Sequence, residues 1–183
     1  MIRTNRKRAF TLVELLVVIG IIALLAAILL PAVRAAFLKA DKNKAEIETK
    51  ALKNAVQAFL NDYGKMPVKS GSGGYQGKPD RSFDTTESME IVAALTANND
   101  DINPRKVTYL EAQTNSVDGT YQDPWGVQYR LVLDTDYSGK TKYDDGTGGG
   151  IRDYGTVAIA VSAGPDTKFN ASSSVKDDIF SSK

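Results

Sequence analysis

From Leu15 to Val33 the chain runs nineteen residues without one charged or polar side chain. Rising about 1.5 Å per residue, a helix of that length covers about 28 Å, close to the hydrocarbon thickness of a bilayer. A helix that is apolar all round has to be surrounded by lipid or protein, so this stretch reads as a membrane-crossing helix. Basic residues precede it: Arg3, Arg6, Lys7 and Arg8, with no acid among the first nine positions. Hydrophobicity begins at Ala9-Phe10, and one residue near the start of the apolar region breaks the pattern, the acid Glu14.

The segment reads as a processed targeting sequence of an unusual kind. A secretory signal has an apolar region of 7–15 residues followed by a small-residue A-x-A cleavage site. Here the run is longer, and between Ala23 and Ala45 no two alanines sit two apart. The small residue lies ahead of the run instead, at Ala9. A cut after Ala9 removes the basic leader and leaves the whole apolar helix on the mature chain.

Ala9-Phe10-Thr11-Leu12-Val13-Glu14-Leu15 resembles the leader junction of the type IV pilins and the type II secretion pseudopilins. In that family a prepilin peptidase cuts before the Phe and methylates the new amino terminus. The resemblance therefore implies cleavage between Ala9 and Phe10 and N-methylation of Phe10. The family places an acid five residues into the mature chain, where Glu14 falls, and a proline where Pro31 falls. Ala9 is a departure, since Gly is usual there. Glu14 has two readings. Near an interface it snorkels out of the apolar region cheaply. After cleavage, a neighbouring subunit's Phe10 ammonium can pair with it at low dielectric. A charge inside a membrane helix is costly and usually functional, which favours the second. Glu14 and Pro31 are thus the expected assembly residues.

The 183 residues leave about 150 after the apolar run, enough for one globular domain of modest size. Net charge is +1, and loss of the leader leaves 19 basic against 22 acidic residues, a net of −3. No basic patch suggests nucleic-acid binding. Cysteine and histidine are absent, which removes disulfides, Cys-based metal sites, His-dependent triads and most zinc sites. Gly139-Lys140-Thr141 resembles the tail of a phosphate loop, but the glycine required at position 134 is Asp134, so nucleotide binding is rejected. No G-x-S-x-G occurs, and an enzyme is the weaker reading.

The pattern divides the chain into a cleaved leader over 1–9, a transmembrane and assembly helix over 10–33, an amphipathic continuation over 34–63 and an α+β domain over 64–183. Ala35, Ala36, Leu38, Ala40, Ile47, Ala51, Leu52, Ala55, Val56, Phe59 and Leu60 recur at spacings of three and four, with lysines and glutamates between them. No breaker lies between Pro31 and Gly64, so one helix from Phe10 to Tyr63, kinked at Pro31, is expected. Arg34, Lys39, Lys42 and Lys44 equal the leader charges in number, so the positive-inside count is a tie. The leader motif places the amino terminus inside.

Gly64 and Pro67 end the helix. Lys69–Arg81 reads as a surface loop, Thr86 to Ala94 as a short helix and Lys106–Ala112 as a short strand. Val127–Leu133 and Thr156–Ser162 read as strands, joined through a Gly-rich connection over 144–155. The expected fold is α+β: a long amino-terminal helix on a small antiparallel sheet. Tyr63-Gly64-Lys65-Met66-Pro67, and Asp123-Pro124-Trp125-Gly126 followed by Tyr129-Arg130, are similar to stretches of the major type II secretion pseudopilins. The resemblance implies a type IV pilin-like fold, and Trp125 is read as core packing under a loop.

Two acidic stretches are candidate calcium sites. Asp134, Asp136 and Ser138 stand at first, third and fifth places before Gly139, with Asp145 at twelve, a spacing like that of a calcium loop. A solvated hairpin turn uses the same residues, and both readings stay open. In the carboxy-terminal loop, Asp166 and Asp178, with Asp177 beside it, match the positions where the resemblance implies calcium with main-chain carbonyls. Six to eight oxygen ligands in flexible geometry suit such a set; an ordinary frayed terminus is the alternative.

The resemblance implies a structural subunit. It is held in a bacterial inner membrane by one span with its carboxy-terminal domain in the periplasm, then packs helix to helix into the short, homopolymeric periplasmic fibre of a type II protein secretion system. The implied partners are the prepilin peptidase, other pseudopilins and an inner-membrane assembly platform. A type IV pilus subunit is a variant of that reading. A membrane-anchored calcium-binding module that never polymerises is the reading from another class.

Overall fold

The computed structural model describes residues 11–70, 74–83, 85–111, 120–144, 150–169 and 178–181. The first element is α1, Leu12–Tyr63, a helix of 52 residues with Pro31 inside it. Pro31 cannot donate to the carbonyl of Ala27, the one interior position where the ladder loses its bond. Gly64 closes the helix in a left-handed conformation, φ +64°, with its N–H on the Leu60 carbonyl at 2.8 Å. The chain divides into two compact units, Met1–Ala40 and Asp41–Lys183. In the first unit every residue from 11 to 40 is exposed, as expected of a helix whose partners are lipid or other chains.

In the second unit the helix turns one-sided. Ala45, Thr49, Leu52, Ala55, Val56 and Phe59 are its buried residues, at the three-and-four spacing of a single face. That face covers a four-stranded antiparallel sheet of order β1-β2-β5-β6: β1 Arg81–Phe83, β2 Arg130–Leu133, β5 Ala158–Ser162 and β6 Ile179–Phe180. The second helix, α2 Thr85–Leu95, contributes Ile91, Val92 and Leu95 to the same core.

The sheet is buried on both faces. Leu131, Leu133, Ala158 and Ala160 join the helix-side cluster, while Val132, Ile159 and Val161 join Tyr143 and Phe180 on the other side. Tyr143 belongs to a hairpin, β3 Thr141–Asp144 paired with β4 Ile151–Tyr154. This explains why β5 reads as an unbroken apolar run and not as an alternation. Fully buried Tyr129 donates its hydroxyl to Glu48 at 2.6 Å, tying helix to sheet. Burial pushes its hydroxyl pKa up.

The α+β architecture, with a long helix on an antiparallel sheet, is as the sequence implies. Three local readings change. β4 lies where a connection was expected. Residues 106–111 form no strand: Lys106 is left-handed, φ +52°, and the N–H groups of Tyr109 and Leu110 both bond the Leu95 carbonyl at 2.8 and 3.0 Å, capping α2. Trp125 is half-buried and lies outside both core clusters; the aromatic core residues beneath that turn are Tyr121 and Tyr129, 5.2 Å apart between ring centroids.

Candidate functional site

Ala9 and Phe10, the expected cleavage pair, lie outside the described residues. The first described turn of α1 is built around Glu14. Thr11 donates its backbone N–H and its hydroxyl to Glu14 Oε2 at 2.9 and 2.7 Å, and the Glu14 N–H returns to Thr11 Oγ1 at 3.2 Å. This is a reciprocal capping box, which satisfies orphan donors at the helix start. Thr11 was not singled out from the sequence, although S/T-x-x-E before an apolar run is its local signal. The carboxylate is thus held at the mouth of an apolar helix, four residues from the expected mature terminus. Pro31 lies further along the same exposed surface.

The first acidic stretch is the connection between β2 and β3. Asp134 is 1% exposed. Its Oδ1 accepts the Ser138 N–H at 2.9 Å and its Oδ2 the Gly139 N–H at 2.8 Å, while Asp136 Oδ1 accepts the same Ser138 N–H at 3.0 Å. Gly139 supplies the positive φ, +78°. These are the bonds of a tight turn in which Asp closes on its own backbone. The loop is tied to residues 66–80: Thr135 Oγ1 donates to the Lys78 carbonyl at 2.8 Å, and the Tyr137 hydroxyl meets Gln76 and the Met66 N–H. This brings in Asp80, which local spacing gave no means of finding. Asp80, Asp134 and Asp136 offer carboxylate oxygens all within 4.8 Å of one another. Asp80 Oδ2 accepts the Lys142 N–H at 3.0 Å, and the Lys142 ammonium stands 3.7 Å from Asp136. Burial pushes the Asp134 carboxyl above its ordinary value, while hydrogen bonding by Ser138 lowers Asp136. Ser138 Oγ sits 3.0 Å from the Lys140 carbonyl, and Asp145 lies outside the described residues.

The second acidic stretch follows β5. Asp166 sits half-buried in the turn after Gly164, accepting the Lys168 N–H at 2.9 Å. Asp178 is 6% exposed, immediately before β6. β6 pairs with β5 as Val161↔Phe180 and Ser162↔Ile179. Continuing that register one place sets Asp178 against Ala163, so both acids lie at one end of the sheet. Asp177 lies outside the described residues. Both side chains end in carboxylate oxygens, the donor type that calcium takes.

Beside this turn is a residue that the sequence marks only as part of the Asp123-Pro124-Trp125-Gly126 stretch. Asp123 is 4% exposed. Its Oδ1 accepts the N–H groups of Trp125 and Val127 at 3.1 and 2.9 Å, closing the turn, and its Oδ2 accepts the Ser162 hydroxyl at 2.7 Å. Ser162 Oγ in turn accepts the Gly164 N–H at 3.1 Å.

Residues 4–30 match the family model described as the prokaryotic N-terminal methylation motif. The type II secretion system core protein G of Dickeya chrysanthemi is 31% identical over 129 residues, 70% of this chain and 69% of the relative. The core protein G of Escherichia coli (strain K12) is 32% identical over 130 residues, 70% of this chain and 74% of that one. The type IV major alpha-pilin of Moraxella bovis is 46% identical over 66 residues, 36% of this chain and 41% of the pilin. No solved structure matches the chain at a comparable level.

Proposed function

The chain belongs to the type IV pilin-like family of pilins and pseudopilins, and on that premise we propose that it is a structural subunit of a type II secretion pseudopilus. The observation that carries this reading is coverage: the secretion proteins align over 70% of the chain, the Moraxella pilin over 36%. The subunit waits in the inner membrane on α1, with 64–183 in the periplasm. The peptidase removes residues 1–9 and methylates Phe10. The exposed apolar surface of residues 15–33 then leaves lipid for the same surface on neighbouring subunits, with Glu14 pairing to a neighbour's Phe10 ammonium. The work is packing and charge pairing, with no bond chemistry by this chain. Deleting the gene in its parent bacterium tests it: secreted proteins should accumulate in the periplasm while surface pili persist.

A second reading, a type IV pilus subunit, is favoured by the higher identity of the Moraxella match, 46%; loss of pili with normal secretion would establish it. The non-polymerising module fits less well, since it gives the methylation motif nothing to do.

Calcium in the carboxy-terminal loop is part of the proposal. Asp166 and Asp178, with Asp177 as an added candidate, hold the ion with nearby carbonyls. The ion neutralises carboxylates that otherwise repel, and stabilises the fold in proportion to its excess over Kd. Melting with calcium and with chelator tests it. A calcium-dependent rise that survives Asp166→Ala with Asp178→Ala refutes the site.

A further inference from the structure

We propose that Asp123 is a positioning residue for calcium: through Ser162 it fixes the turn that carries Asp166, at the end of β5 toward which the β6 register brings Asp178. The inference rests on the calcium reading above. A carboxylate only 4% exposed is expensive to bury without a cation. Among the described residues no ion pair involves Asp123, and three donors satisfy it instead. Two of these close its own turn, which a neutral Asn would also do. The third is the Ser162 hydroxyl, at the end of β5.

With its proton committed to Asp123, Ser162 Oγ presents its lone pairs to the Gly164 N–H. The relay therefore pins both neighbours of Ala163. Ala163 is the residue against which the β5–β6 register sets Asp178. Gly164, held at φ +70°, is two residues before Asp166, and its carbonyl accepts the Thr167 N–H at 3.1 Å. One buried carboxylate thus bears on the backbone two residues before Asp166 and on the strand end from which the β5–β6 register continues to Asp178. Positioning of this kind acts on metal affinity through the residues behind the ligands.

The test is calorimetric titration of calcium chloride into the full chain in detergent, after chelation, for wild type, Asp123→Asn and Ser162→Ala. Leu133→Ala is the control: it cuts the core at the far end of the β2–β5 pair, opposite Ala158, and lowers stability without touching the turn. The expected result is calcium affinity at least tenfold weaker in Asp123→Asn and Ser162→Ala, and unchanged in Leu133→Ala. Should Asp123→Asn fail to fold, Ser162→Ala carries the comparison. Wild-type affinity in both variants, with binding lost in Asp166→Ala plus Asp178→Ala, overturns the role of Asp123 and leaves the calcium site standing. Absence of calcium binding by wild type overturns both.

Discussion

At Glu14 one carboxylate faces two demands. It completes the capping box with Thr11 at the helix start, and it carries the charge expected to pair with a neighbour's amino terminus. Substitutions separate them. Glu14→Gln keeps a side-chain oxygen for Thr11 and removes the charge. Both Gln and Ala variants should insert at least as well as wild type, since a membrane charge is lost, and both should lose most fibre yield. Wild-type yield from Glu14→Gln, measured in sheared fractions, would assign Glu14 to capping alone. The acid cluster around Asp134 poses a different question. Its turn hydrogen bonds already engage both Asp134 oxygens, so Asp134→Ala with Asp136→Ala should lower the melting temperature and leave calcium stoichiometry unchanged; one ion fewer would mark a metal site. The sequence made Asp134, Asp136 and Ser138 legible because they share one turn. Asp80 and the Asp123–Ser162 bond were not legible, because each partner arrives from a distant segment through tertiary folding.

Among the elements, α1 was legible almost to the residue, since nineteen apolar residues and a three-and-four stripe are strong periodic signals. The stripe also names its most sensitive position. Phe59 is fully buried and stacks on Tyr63 with centroids 4.4 Å apart. Phe59→Ala should cost about 3–5 kcal/mol, read by denaturant unfolding of the globular unit; a loss under about 1 kcal/mol would mean the stripe does not face the sheet. The strands were less legible for physical reasons. β4, Ile151-Arg152-Asp153-Tyr154, is largely exposed and shows no alternation, so only its pairing with β3 marks it. β1 has three residues, too few for a period. Lys106–Ala112 carries a weak alternation, but the Tyr109 and Leu110 N–H groups cap α2 instead of joining a sheet, and Ala112 lies outside the described residues.

At the scale of the molecule, the two units divide the labour. The first presents an exposed apolar helix; the second has a closed core on both faces of its sheet. Such a helix is stable only in lipid or against like helices, and this is the physical basis for reading the chain as a subunit that passes from one environment to the other. Charge does not orient it, because the two flanks of the span tie; the orientation proposed above rests on the leader motif alone. The most direct test of that account is co-expression of the full chain with a prepilin peptidase and a type II assembly platform, followed by intact-mass measurement on sheared fibres. The account predicts fibres whose subunit begins at methylated Phe10. A chain that begins at Met1, or that is correctly cut yet remains wholly in the membrane fraction, would contradict it.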